Sequence, residues 1–517
     1  MLKIGGKDRE NLQQKQKMMH FFGNLTEKQY LRSANYRIKQ HKSNLTTCIG
    51  WLMILLGVIG CFVFFQCFYP YHLQHREQTM LFLCNVDYIL EHYPFTSGWF
   101  SRLLGDFLQQ FFYYLVAGPV IVAILLTLIA FVTYRIVRNI LPQSWGRYVA
   151  YTLALIAMLW EGGRECLPEY PLGSSIQVLG ILLFFWGIFF CKSRLHKASY
   201  ICSCSVFTLW MFGYEPLPNT KLYGMPDMML EHQLALDVEA SYGHWQKVEE
   251  MTQENLPYNI DIYYHNLALA IQNRLGGDLF SRHQNFQDGL FLPVNEKGNF
   301  FLFTAANEAW WAIGDLTMAE HAAMLGMIFS PRKACSRNIR RLAEINLAKG
   351  DKAAAMKYLR MLQQTLVHRK WAESYIDNDA MTFIQSNFQS MTDTLRLTSQ
   401  TQRSLRNLLD SHPDNMRALQ YLLSYDMLTK DLDSFAADFD RYNFSIEGRA
   451  YEEAMLIIMN ARPEKRLEWR EYVHESTFVD FLAFNEKFAE TNGNAMALKP
   501  RFGYSFWYYM KFAKPLE

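Results

Sequence analysis

Five apolar runs crowd into residues 47–214, and after them the chain alternates apolar and polar positions in the manner of a water-soluble helical protein. The first run, Thr47 to Tyr69 (TCIGWLMILLGVIGCFVFFQCFY), has no charged residue. At about 1.5 Å per helical residue it is long enough to cross a hydrocarbon layer of about 30 Å. The second, Phe107 to Tyr134, contains Gly118-Pro119, which predicts a kink of the kind a membrane bundle tolerates. The third, Tyr148 to Trp160, lies between Arg147 and Glu161. Its uncharged part falls short of the roughly 20 residues a span needs, so it crosses only if Glu161 or Arg164 reaches the interface. The fourth is Ile176 to Cys191, and the fifth, Ala198 to Tyr214, is softened by Ser199, Ser203 and Ser205. Five crossings are expected.

Charge sets the orientation of these runs. Over the whole chain 51 Lys and Arg face 49 Asp and Glu, a net charge of +2, but residues 1–46 are strongly basic, from Lys3 and Lys7 through Arg37, Lys39 and Lys42. No RNA-binding or helix-turn-helix pattern accompanies that charge, so it reads as a cytoplasmic juxtamembrane segment and not as a nucleic-acid site. The opening of the chain also lacks the layout of a secretory signal. Arg135, Arg138 and Arg147 after the second run, and Lys192, Arg194 and Lys197 after the fourth, belong on the same inner side. An odd number of crossings then puts everything beyond Tyr214 outside, which in a Gram-negative cell is the periplasm. The outer loop from His72 to Gln110 mixes Leu81, Phe82, Ile89 and Leu90 with Asp87 and Glu91 and predicts helices lying in the interface, with Trp99 and Phe100 at headgroup level.

Beyond the Pro-rich joint Glu215-Pro216-Leu217-Pro218-Asn219 the chain repeats itself. Leu342 to Leu362 (LAEINLAKGDKAAAMKYLRML) reads as two helices around a Gly350-Asp351 turn, with Ala343, Ala355 and Leu359 at the packing positions. Asn307 to Pro331 repeats the pattern with Gly314-Asp315, Ala319 and Ala323. Turn glycines at 243, 277, 314 and 350 follow the roughly 34-residue period of tetratricopeptide units. Pro413-Asp414-Asn415, Ala418, Leu422, Lys430-Asp431 and Phe435 form a further unit, with one degenerate unit between it and Gly350. Residues 280–301 read as an inserted loop, and Phe502 to Phe512 as a final packing segment. The fold class expected is therefore all-α: a basic segment (1–46), a polytopic transmembrane helix bundle (47–214) and a tetratricopeptide-like α-solenoid (215–517).

The membrane region together with FTAANEAWWAIGDLTMAEH (303–321) and SRNIRRLAEINLAKGDKAAAMKYLRML (336–362) resembles an uncharacterised transmembrane protein family of the Bacteroidota. The resemblance implies a bacterial inner membrane and assigns no catalytic residue. The repeats resemble the tetratricopeptide superfamily, which implies protein or peptide partners on a concave face.

Chemical motifs are sparse: there is no P-loop, GxGxxG, HExxH, CxxC or GxSxG, and no catalytic, cofactor-binding or metal residue is assigned. Cys202 and Cys204, with His196 nearby, have the wrong spacing for a zinc knuckle. Tyr263, Tyr264 and His265 read as packing. One polar group stands out, Glu161-Gly162-Gly163-Arg164-Glu165 with Glu169 beyond it, at the outer end of the third run. On a continuous helix Glu161, Arg164 and Glu165 share a face. They form either an ion pair that fixes a helix end or, with Asp87, the carboxylates of a membrane-embedded glycan or lipid transferase. Cys84 and Cys166 are the outer-loop thiols expected to meet an oxidising compartment, bridged or separately packed. The function expected is a membrane scaffold whose repeat domain binds an envelope protein, peptide or glycan-assembly partner, with membrane lipid as the other partner and no nucleic acid. The alternative is the transferase.

Overall fold

The structure is a computed structural model that describes residues 48–143, 145–191, 194–213, 223–254, 258–293, 299–330, 332–376, 400–442 and 447–514. The basic segment 1–46 and the joint 215–219 lie outside the described residues. Among the described residues there are helices and turns and no strand.

The first apolar run is helix α1, Cys48–Phe68, whose last turn, Phe64–Phe68, is wound as a π-helix. A short polar helix α2 (Pro70–Gln78) follows, then α3 (Val86–His92) and α4 (Trp99–Gln109). The long apolar helices α5 (Ala117–Ile140), α6 (Gly146–Glu165), α7 (Leu172–Gly187, extended by a 3-10 turn to Phe190) and α8 (Arg194–Phe212) complete the first half. Three of these helices, Cys48–Phe68, Ala117–Ile140 and Leu172–Phe190, are long and apolar enough to cross a membrane. Helices α6 and α8 are comparable in length but carry more polar residues, which is where the sequence pattern was weakest.

Contacts near their ends give the directions of the long helices. At one end the Tyr134 and Tyr151 rings stack at 4.7 Å, Trp51 lies 5.3 Å from Tyr134, and Arg135 sits over the Trp186 ring at 5.7 Å. At the other end the Tyr69 hydroxyl donates to the Cys166 carbonyl at 3.3 Å. Helix α8 returns along α7, with Tyr200 stacked on Phe184 at 5.6 Å and Phe212 over Gly180. Thus α1, α6 and α8 point one way and α5 and α7 the other.

Two expectations for this half are corrected. The second apolar run is not one span from Phe107: α4 ends at Gln109, a 3-10 turn covers Gln110–Tyr113, and α5 begins at Ala117. Gly118 and Pro119 therefore fall in the first turn of α5, where a missing amide proton costs no helical hydrogen bond, and they do not kink it. The outer loop is not purely interfacial either. His72 to Gln78, Leu81 and Phe82 are buried between the bundle and the second half of the chain.

The second half is a helical repeat. Helices α9 (Met228–Ser241) and α10 (Trp245–Met251) come first, then α11 (Asn259–Ile271) with the one-turn α12 (Leu275–Asp278). The pairs α13 (Phe300–Ile313) with α14 (Leu316–Phe329) and α15 (Ser336–Lys349) with α16 (Lys352–Gln363) follow, then α17 (Arg369–Ile376). Gly314 and Gly350 end their helices at φ 84° and 78°, a left-handed cap that a side chain would strain. The next residue, Asp315 or Asp351, then caps the second helix by accepting from the Met318 or Ala354 amide at 2.9 Å. Ala319 and Ala355 are fully buried where paired helices approach. Lys430 turns the later unit at φ 61°, with Asp431 capping the following helix through the Ser434 amide.

The unit expected to turn at Gly277 turns instead at Asn273 (φ 57°), because α11 ends two residues earlier. Gly276 serves a different purpose: its missing side chain admits the Tyr451 ring, while the missing side chain of Gly448 lets that residue rest on the Gly276 backbone. The later helices Met416–Leu428 and Arg449–Ala461 thereby fold back over α11, α12 and α13. The inserted loop fills the space between them, Phe291 lying 4.3 Å from Trp310 and 5.2 Å from Tyr421. The last helix, Phe506–Phe512, closes this end, with Phe506 5.4 Å from Phe280. The inner face of the repeat is thus occupied by the chain's own aromatic side chains.

Candidate functional site

Helix α2 (PYHLQHREQ) is too polar to be a core helix by composition, yet His72 to Gln78 are all buried. Pro70 starts it at the position where a helix needs no amide proton. Its first amides have no partner on their own helix and are taken by Glu231 of α9, which accepts from Tyr71 N at 2.7 Å and His72 N at 2.9 Å. A carboxylate there also meets the positive end of the helix dipole. Burial outweighs those contacts and pushes the Glu231 carboxyl up to about 7.

One face of α2 points into the bundle. Arg76 Nη1 meets Glu165 Oε2 at 2.7 Å, and Gln109 Nε2 donates to the Arg76 carbonyl at 3.0 Å. Glu165 belongs to the group singled out in the sequence, and α6 continues unbroken through Gly162-Gly163 so that its polar residues do converge. Arg164 Nη1 lies 3.3 Å from Glu161 Oε2 and its guanidinium covers the Tyr170 ring at 4.5 Å. Glu161 Oε1 accepts from the Tyr170 hydroxyl at 2.5 Å and from Ser175 Oγ at 2.6 Å, while Ser175 Oγ also lies 2.6 Å from Glu165 Oε1. Ser175 has one hydroxyl proton, so it donates to only one of the two carboxylates at a time. Glu161 and Glu165 are 2% and 0% exposed.

The other face of α2 points into the repeat domain. Glu77 Oε1 accepts from Ser336 Oγ at 3.1 Å and contacts His368 Nε2 at 2.8 Å. Gln78 Oε1 accepts from Arg337 Nη1 at 3.2 Å. Arg337 is also paired with Asp237 of α9, with Nη2 at 2.9 Å from Oδ1, and with Glu308 of α13 at 3.1 Å. Burial, assisted by the nearby Arg337 cation and opposed by Asp237, lowers the His75 imidazole to about 4, so it is neutral. Tyr113, in the turn before α5, packs edge-on against His368 at 5.1 Å.

Residues 44–218 and 216–513 match the family of unknown function DUF6057. The chain belongs to that family. No curated protein and no solved structure matches it. The two matched stretches of this DUF6057 protein overlap at 216–218 and contain, respectively, α2 with the long apolar helices and α9 with the repeats that close on α2.

Of the residues read from sequence, Glu161, Arg164 and Glu165 come together. Asp87 does not join them: it is exposed in the first turn of α3, its amide held by Asn85. Glu169 is exposed. Arg76, Tyr170, Ser175 and Glu231 were missed. All nine cysteines are free; Cys84 is exposed, but Cys166 is buried beneath Tyr69 and not open to oxidants. Tyr263 and Tyr264 are packing residues, as expected, with the Tyr263 hydroxyl donating to the Ala305 carbonyl at 2.7 Å. Among the described residues no group of three His, Cys, Asp or Glu side chains is close enough to hold a metal ion.

Proposed function

We propose that this protein is an integral membrane scaffold that holds a tetratricopeptide-like repeat domain in one fixed pose for an envelope protein, peptide or glycan-assembly partner. The observation that carries this reading is α2, whose buried ion pairs and amide contacts reach the bundle through Arg76–Glu165 and the repeats through Glu231, Glu77–His368 and Gln78–Arg337. Such a joint transmits position, which a scaffold needs.

In this reading all five long helices cross a bacterial inner membrane, as the resemblance to a transmembrane family of the Bacteroidota implies. The Arg135, Arg138 and Arg147 end faces the cytoplasm and the repeat domain lies in the periplasm. Because the inner face of the repeat is occupied, the partner is met on outer helix surfaces and not in a concave groove. The transferase alternative has less support: Glu161 and Glu165 are buried and each is engaged by a cation.

Purification of the native complex in mild detergent tests the proposal. A stoichiometric partner that stays with the wild type is expected. A chain that purifies alone and transfers a lipid-linked sugar, with transfer abolished by Glu161→Gln, would replace the scaffold with the transferase.

A further inference from the structure

The segment Tyr223-Gly224-Met225-Pro226-Asp227-Met228-Met229 leads into α9, and its apolar side chains are exposed. Tyr223, Met225, Met228 and Met229 are 59%, 74%, 50% and 45% accessible. A soluble repeat domain normally folds such a cluster inward. Here the segment is pinned elsewhere. The backbone of Gly224 rests directly on that of Gly163 in the last turn of α6, so close that a Cβ on Gly163 would stand 2.6 Å from the Gly224 carbonyl oxygen. The Asp227 amide donates to the hydroxyl of Tyr69, at the end of α1, at 3.2 Å. Asp227 meanwhile caps α9 by accepting from the Met229 and Leu230 amides.

These contacts place the four side chains at the level where α1 and α6 end. Just below them, on the side of α6 that carries Gly163, Ile156, Leu159 and Trp160 are exposed. A Trp at the end of a spanning helix marks the headgroup layer. We propose that Tyr223, Met225, Met228 and Met229 form a membrane seat of the repeat domain, immersed in the headgroup and upper acyl region of the leaflet that α6 enters. The occupant of this surface is phospholipid. The seat explains Gly163: any side chain there would lift the segment off α6 and out of the lipid. It rests on the reading of α1 and α6 as membrane helices and adds that the repeat domain touches the bilayer itself.

Methionine oxidation tests the seat in the unmodified protein, because thioethers in lipid are shielded from a water-soluble oxidant such as chloramine-T. Met496, 84% exposed in the C-terminal helices, reports full access to water, and Met53, 48% exposed on α1, reports the membrane core. In phospholipid nanodiscs holding the full chain, peptide mass spectrometry is expected to show Met225 and Met228 forming sulfoxide at least about tenfold more slowly than Met496, with Met53 slower still. If Met225 and Met228 oxidise as fast as Met496 while Met53 is protected, the seat is overturned and the membrane reading stands. If Met53 also oxidises at the Met496 rate, both fall together.

Discussion

Arg76 and Glu165 lie 89 positions apart in the sequence and 2.7 Å apart in the structure, with side chains 3% and 0% exposed. One belongs to a nine-residue polar helix, the other to the last turn of a long apolar one. Neither charge has water to fall back on, so each depends on the other. Removing one partner of a buried pair typically costs about 3–5 kcal/mol, because the remaining charge stays buried and alone.

Arg76→Ala is therefore expected to destabilise the full chain by an amount in that range, whereas Arg76→Ala combined with Glu165→Gln should recover part of the loss. Denaturation of the detergent-solubilised protein measures both. A loss in the double variant equal to the sum of the losses of Arg76→Ala and Glu165→Gln taken singly would mean that the pair is not coupled.

Glu231 gives the joint a pH dependence with a definite sign. Its carboxyl is raised from the ordinary glutamate range to about 7, chiefly by burial, so docking is linked to proton uptake. The stability it contributes is fully present below the unfolded value and is lost as pH rises through about 7. The joint should be weaker at pH 8 than at pH 6, and Glu231→Gln should flatten that difference. A melting temperature of the full chain that rises over this window, and does so equally in the variant, would refute the assignment.

The repeat register has its own test. Ala355 is fully buried five residues beyond Gly350, and Ala355→Trp should force α16 away from α15 at an overpacking cost of about 1–3 kcal/mol. An unchanged melting temperature of the full chain would show that this position does not face its neighbour.

The sequence made some of this architecture plain and hid the rest for physical reasons. Glycine turns at 314 and 350 followed by Asp are local signals, and the caps at those positions are formed as the spacing indicated. Residues 161–165 could be grouped because a helix places them on one face. Their partners could not be found in that way, since Arg76, Ser175 and Glu231 approach through tertiary packing that no local period encodes. The burial of helix α2 was not legible for the same reason: a stretch as polar as HLQHREQ shows no apolar face, and only the closure of the second half of the chain covers it. Asn273 took the turn expected of Gly277 because asparagine also tolerates the left-handed conformation, and the neighbouring Gly276 became a packing contact for Tyr451.

Hydrogen exchange of the α2 amides in the full chain, reconstituted in nanodiscs, tests most directly whether bundle and repeats form one body. A polar nine-residue helix has little stability alone and exchanges quickly unless both neighbours cover it. The account predicts that amides from Leu73 to Gln78 are protected as strongly as those of α11 in the repeat core, with protection falling in Arg76→Ala. Exchange of these amides within seconds in the wild type would contradict it, and would mean that the repeat domain swings freely from its anchor.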